Sequence, residues 1–497
     1  MKSTDSFFKS QSQAPLLETL ALLAGQPDAA FYTPGHKRGQ GIATNLANLL
    51  GYLVFSADLP ELPELDHLFA PEGVIAQAQS LAAEAFGAKK TWFLVNGSTC
   101  GIIAAILATC QTGDKIILPR NIHQSAIAGL MLSGAVPIFL NPAYNSNEDL
   151  AYSITPSSLE TALKQNPDAK AVMIVYPTYQ GICGDLEAII SLTRQYHLPL
   201  LVDEAHGGHF SFHPHLPPSA LSLGADLVIQ STHKVLGSLT QSSMLHLQGQ
   251  RVEADRINQA LQLLQTSSPS YLLLASLDAA RQQMALEGQQ LLTKTLQLAQ
   301  VARSQIAQIP GLSVLELEEP LPGFRWLDQT RLTVNVSPLG LTGYEVDEIL
   351  HQQMGVTAEL PMLHHLTFII TFGNTEDDIN KLVQALKTIA ADAVVDDRRA
   401  PVRPPSPVFL SPSPIPTQSL SPREAFFLPR ETRAIHQTIG YISAELVCPY
   451  PPGIPVLMPG EMINPQAITY LQQVVASGAM ITGCSDPTLA TLKILRP

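Results

Sequence analysis

No apolar run in this sequence approaches the roughly 20 residues that a helix needs to cross a bilayer, so no membrane span is expected. The apolar N-terminal stretch from Ala14 to Ala24 is interrupted by Glu18 and lacks a small-residue cleavage site, so it reads as an amphipathic helix rather than a signal peptide. Cysteine is sparse: Cys100, Cys110, Cys183, Cys448 and Cys484 are odd in number and scattered, and none forms a C-x-x-C pair. That excludes a disulfide framework and a cysteine-rich zinc site, and implies a reducing cytoplasm. Basic residues are also short, 29 against 42 acidic ones, and the net charge of -13 argues against nucleic acid or any other polyanion as partner. An acidic chain does suit a cationic small substrate, although net charge governs chiefly solubility. No internal repeat is visible.

What is present is length and a regular pattern. The 497 residues exceed the roughly 250–300 that one core accommodates, so more than one domain is expected. Between Ile75 and Leu247 short apolar runs alternate with helix-length segments: Trp92-Val95, Lys115-Leu118, Val136-Leu140, Ala171-Tyr176, Leu198-Val202, Asp226-Gln230 and Ser243-Leu247. Flat hydrophobicity without alternation fits strands covered on both faces, and helices between them fit an α/β fold with a mostly parallel, seven-stranded sheet. From Val252 to Ile309 the pattern turns helical and glutamine-rich. A smaller α+β unit should follow, with strands at Leu312-Leu317, Arg331-Val336 and Leu366-Thr371 and helices at Thr342-Met354 and Thr375-Ala391. Eight prolines between Pro401 and Pro422 favour an extended linker. The expected organisation is a large domain over residues 1–310 that includes the N-terminal segment, a small α+β domain over 311–395, a linker over 396–425 and a C-terminal domain over 426–497.

The chemistry is concentrated at strand ends. Ser231-Thr232-His233-Lys234 follows the strand Asp226-Gln230, and a lysine at the carboxyl edge of an α/β sheet sits where such sheets hold ligands. Burial there eases deprotonation of its amine, which Schiff-base formation requires. An isolated lysine is more often an ordinary surface residue, but this one has company. The strand Leu198-Val202 ends in Asp203-Glu204-Ala205-His206-Gly207. A carboxylate there can keep a pyridine nitrogen protonated and make the ring an electron sink, although a strand-end Asp is as often a helix cap. Ala205 is small enough for a flat ring to lie close, and His206 would point toward a substrate. His206 and His209 do not make a metal site, because no third ligand cluster accompanies them. Asn96-Gly97-Ser98-Thr99, between a strand and a helix, offers backbone N–H groups, a permissive glycine and two hydroxyls to a phosphate; helix capping alone also explains Ser98 and Thr99. Ser231 and His233 are further phosphate donors. His123, after the strand Lys115-Leu118, can stack on a cofactor ring, although a lone loop histidine is more often incidental.

At these residues the sequence resembles fold-type I pyridoxal-phosphate enzymes, and specifically the bacterial ornithine/lysine/arginine decarboxylase family. The closer match is carried by Phe31-Tyr32-Thr33-Pro34-Gly35-His36-Lys37, by the Asp203 and Lys234 stretches, and by Tyr450-Pro451-Pro452-Gly453-Ile454-Pro455 with Pro459-Gly460-Glu461. The resemblance covers essentially the whole chain. It implies pyridoxal 5'-phosphate as cofactor, Lys234 as the Schiff-base lysine, Asp203 as the pyridine partner, His123 as the stacking residue, and Ser98, Thr99, Ser231 and His233 as phosphate contacts. It also implies a homodimer with shared sites, in which a neighbouring subunit supplies a hydroxyl just before a Ser-Pro pair; Thr266 and Ser267 precede Ser268-Pro269, and Ser267 is the candidate. The enterobacterial members carry an N-terminal wing domain that helps build decamers. Here Pro34-Gly35-His36 comes early, so a short form without the wing is expected. Where those members have tryptophan after the pyridine-binding Asp segment, this chain has His206.

The implied reaction is decarboxylation of arginine, lysine or ornithine in polyamine metabolism, with arginine leading by analogy to other short members. Loss of carbon dioxide needs the bond from Cα to the carboxylate perpendicular to the cofactor ring, and a protein acid, His206 or Lys234, to return a proton to Cα. The distal cation of a basic substrate needs a carboxylate, for which Glu461 is the candidate. Two other readings are open: another fold-type I reaction such as transamination, whose carboxylate clamp would be Arg325 or Arg331, and a non-catalytic cofactor-binding regulator.

Overall fold

The computed structural model describes residues 7, 10–395, 418–450, 454–476 and 478–496. Most of the proline-rich stretch, 396–417, and Pro451-Pro452-Gly453 of the C-terminal motif lie outside the described residues. The seven expected strands all form: β1 Lys90–Leu94, β2 Lys115–Pro119, β3 Val136–Leu140, β4 Ala171–Val175, β5 Leu200–Asp203, β6 Leu227–Gln230 and β7 Ser243–Leu247. They make one sheet of order β1-β7-β6-β5-β4-β2-β3. β2 runs parallel to β3 and β4, and β7 runs antiparallel to both β1 and β6. Every residue of β5, β6 and β7 is buried, which is why their sequences are flat. Flatness does not extend to β3. Its burial alternates, because a terminal strand of the sheet is less completely covered.

The chain divides into two compact units, the first comprising Met1–Ala108, Val202–Pro214 and Pro218–Gln290, the second Thr109–Leu201, His215–Pro217 and Leu291–Pro497. In the first, the helix Pro15–Ala24 occupies the stretch read as amphipathic. Its opening N–H groups, which have no partner within a helix, are met by Asp278, whose Oδ2 lies 3.0 Å from Leu16 N. Two short helices, Thr44–Leu50 and Tyr52–Ala57, follow on either side of Gly51 and were not expected. The helix Gly97–Thr109 packs so closely on the sheet that a Cβ on Gly101 would lie 2.7 Å from Leu94 and 2.9 Å from Ile229. The glutamine-rich region forms the helix Ala254–Leu264 and the long helix Tyr271–Ile306, of which residues 271–290 belong to this unit.

In the second unit, β8 Ser313–Val314, β9 Arg331–Asn335, β10 Leu360–Pro361 and β11 His365–Ile369 form an antiparallel sheet of order β8-β9-β11-β10. It shares a core of Leu332, Val334, Leu366 and Phe368 with Ile379 and Leu386 of the helix Glu376–Val395. The expected helix Thr342-Met354 is α-helical over Gly343–Ile349, behind a capping box of Thr342 and Glu345, and continues as a π-helical turn over Leu350–Met354. A separate apolar cluster, with Val447, Leu457, Ile468, Leu471, Leu492 and Ile494, underlies the C-terminal segment. No helix among the described residues is long and apolar enough to cross a membrane.

Candidate functional site

Three strand ends of the first unit carry the residues singled out above. β6 ends at Gln230, and Ser231 opens the one-turn helix Thr232–Val235. Ser231 does not cap that turn with its side chain; its hydroxyl reaches Ser98 Oγ at 2.7 Å. The two hydroxyls expected to meet a phosphate are thus neighbours. His233 is fixed through Nδ1, 2.8 Å from the carbonyl of Ser242. Gly97 has φ +75, a backbone conformation that favours glycine, and opens the helix Gly97–Thr109. Thr99 is exposed in the first turn of that helix.

Lys234 Nζ lies 3.0 Å from His206 Nε2. The lysine is half-buried rather than buried, and His206 is almost fully enclosed. Asp203 is buried at the end of β5 and accepts the Ala205 N–H at 3.2 Å. Burial pushes its carboxyl above the usual range, while the positive charge of Lys234 and the Ala205 N–H pull it back. Asp203 also caps no helix in this structure, so the helix-cap alternative lapses. Gly207 is needed behind this segment, because a Cβ there would lie 2.7 Å from Glu204 Cγ.

These residues fit a pyridoxal phosphate: a partly accessible lysine amine, an adjacent buried carboxylate, and a glycine turn with two converging hydroxyls at a helix N-terminus. The 265–268 segment is anchored next to that turn in the same chain. Val95 N donates to Gln265 Oε1 at 2.8 Å, and Thr266 N to Asn96 Oδ1 at 3.2 Å. Ser267 itself is exposed.

In the second unit, His123 caps the helix Gln124–Ser133, its Nδ1 accepting the Ser125 N–H at 3.2 Å. Three residues earlier, Arg120 is buried and grips Glu461 with both terminal nitrogens, NH2 lying 2.9 Å from Oε2. Glu461 Oε2 also accepts the Met458 N–H at 2.9 Å. The expectation for Glu461 is corrected accordingly. Its charge is matched by a buried guanidinium, and turning it toward a substrate cation would strand Arg120 without a counter-charge. Sequence reasoning missed Arg120, whose signal was only its place beside His123. The transamination clamp gains no support either: Arg331 is fully buried within β9, and the half-exposed Arg325 lies 3.5 Å from Asp185.

Residues 14–321 match the family model described as Orn/Lys/Arg decarboxylase, major domain, and residues 410–486 match the C-terminal domain of the same family. The chain is 40% identical to the arginine decarboxylase of Bacillus subtilis (strain 168), over 98% of this chain and 99% of that protein. It is 39% identical to the arginine decarboxylase of Halalkalibacterium halodurans, over 98% of each. Among solved structures, constitutive lysine decarboxylase of E. coli superposes with a TM-score of 0.79 at 20% identity, covering 98% of this chain and 82% of that one. At that identity the likeness speaks for the fold, a fold-type I large domain followed by smaller ones.

Proposed function

Since the chain belongs to the Orn/Lys/Arg decarboxylase family, we propose that it removes the α-carboxylate of arginine, with pyridoxal 5'-phosphate as cofactor, in polyamine metabolism. The observation that carries the chemistry is the 3.0 Å contact between Lys234 Nζ and His206 Nε2, with Asp203 buried at the end of β5 and the Ser98–Ser231 hydroxyl pair at the helix N-terminus. Arginine is preferred to lysine and ornithine because the relatives near 40% identity over their full length are arginine decarboxylases.

Lys234 carries the cofactor, and the Gly97–Thr99 turn, Ser98, Ser231 and His233 hold its phosphate. When bound, pyridoxal phosphate would supply an electron sink for the bond that breaks as carbon dioxide leaves. Asp203 holds the proton on the ring nitrogen, and its low-dielectric surroundings strengthen that interaction. Ala205 leaves room for the ring, and His123 is assigned to its other face by the family pattern. His206, in contact with Lys234 Nζ, moves a proton to or from that amine. Either group can return a proton to Cα. We assign the phosphate a further hydroxyl, Ser267 of a second subunit, in a cytoplasmic homodimer. The five free cysteines, four of them buried, suit a reducing compartment.

The test is product analysis of purified protein with cofactor and each of the three amino acids. Agmatine formed in preference to cadaverine and putrescine is the expected result. Cadaverine or putrescine as main product would keep the reaction and change the substrate, and amine formation from none of them would remove the proposal.

A further inference from the structure

The cofactor residues stand on three strands of the first unit, and a chain of four buried side chains crosses those same strands. Thr91 on β1 and His246 on β7 are directly paired across the sheet. Thr91 Oγ1 lies 2.8 Å from His246 Nδ1, and His246 Nε2 lies 3.1 Å from Gln230 Oε1 at the end of β6. Gln230 Nε2 donates to Glu204 Oε2 at 2.7 Å, and Glu204 Oε1 accepts the Ala220 N–H, also at 2.7 Å. All four side chains are essentially inaccessible to water. Both Glu204 oxygens accept, and these two bonds oppose the burial that pushes its carboxyl up to about 8; the directions through the glutamine and histidine then follow. Gln230 Oε1 can only accept, so His246 carries its proton on Nε2, and Nδ1 accepts the Thr91 hydroxyl. Burial keeps the imidazole neutral, lowering its pKa to about 3.

The chain's position is informative. Glu204 follows Asp203, Gln230 precedes Ser231, and β1 runs into the Gly97–Ser98–Thr99 turn. The Gln230–Glu204 bond therefore ties the backbone that carries Ser231 to the backbone that carries Asp203. His246 is held in addition against Phe86, with ring centroids 4.8 Å apart. We propose that Thr91, His246, Gln230 and Glu204 form a positioning strap. It fixes the spacing between the Ser231–Lys234 turn and Asp203, with His246 on β7 and Thr91 at the start of β1 as its anchor, and so sets the pose of the cofactor. The proposal rests on the reading of those three segments as the pyridoxal-phosphate site. The four side chains are buried and bonded to one another, and the proposal assigns them as positioning residues.

Two substitutions cut the strap with little change of volume. His246→Phe keeps a ring against Phe86 and deletes two bonds, and Thr91→Val deletes the first bond, while Thr91→Ser restores the hydroxyl. The readouts are the visible circular dichroism of bound cofactor, which reports its orientation, the cofactor dissociation constant and the kinetic constants. Cutting the strap is expected to alter the dichroic band, weaken cofactor binding about tenfold, the scale of one hydrogen bond, and lower kcat with KM unchanged. Thr91→Ser should match the parent. Folded variants with the parental band and cofactor affinity would overturn the proposal, and if His246→Phe does not fold, Thr91→Val decides alone. The underlying site reading is judged separately on the parent protein: borohydride treatment that leaves no cofactor adduct on Lys234 removes that reading whatever the variants do.

Discussion

Asp203 is the residue on which the electronic argument turns. Asparagine keeps its shape and its bond to the Ala205 N–H but loses the charge that holds the ring nitrogen protonated. Asp203→Asn is therefore expected to bind cofactor and turn over slowly, with kcat reduced by at least about 10²–10³, the scale of a removed preorganised electrostatic group. Cofactor retention measured by absorbance, alongside steady-state kinetics, checks this. Near-normal turnover would mean that another group faces the ring nitrogen. The same scale explains why Glu461 changes role between sequence and structure. A glutamate in a Pro-Gly-Glu turn reads as available, whereas its partner Arg120 stands 341 residues away in sequence and no local pattern reveals it.

Among elements, the helix Gly97–Thr109 illustrates how a cofactor turn is held by packing. Because Leu94 and Ile229 occupy the space a side chain on Gly101 would need, Gly101→Val is expected to destabilise the protein by roughly 1–3 kcal/mol through overpacking. It should also weaken cofactor binding, since the helix cannot lift from the sheet without moving its N-terminal turn. Thermal unfolding with and without cofactor measures both effects. Elements were also where the sequence was most informative. Seven apolar runs located seven strands, with ends displaced by at most two residues. Where the pattern was thin it failed. Thr44–Leu50 and Tyr52–Ala57 have no side-chain caps, and Leu360–Pro361 is only two residues long. The lysine, aspartate and phosphate-turn candidates were legible because each stands within four residues of the end of an apolar run. His246 and Gln230 were not, although a polar side chain inside a buried strand must find a partner. The partners sit on other strands, and Thr91 lies 155 residues from His246.

For the whole molecule, the assembly prediction follows from the family resemblance at Thr266-Ser267-Ser268-Pro269, where Ser267 is exposed. Two inactive variants, Lys234→Ala and Ser267→Tyr, are expected to regain part of the activity when mixed, because one site of each hybrid dimer then has an intact lysine and an intact hydroxyl. Sedimentation of the same mixtures gives the assembly size, and full activity in a monomeric preparation would remove the idea. The strap bears on the history of the molecule as well as its mechanics. Four side chains, on β1, β7 and β6 and just past the end of β5, satisfy one another, so a lineage that loses one leaves a buried orphan at the next. Drift at Thr91, Glu204, Gln230 and His246 should therefore be concerted: related sequences would keep the quartet or exchange it as a set, while the apolar positions around it vary one at a time.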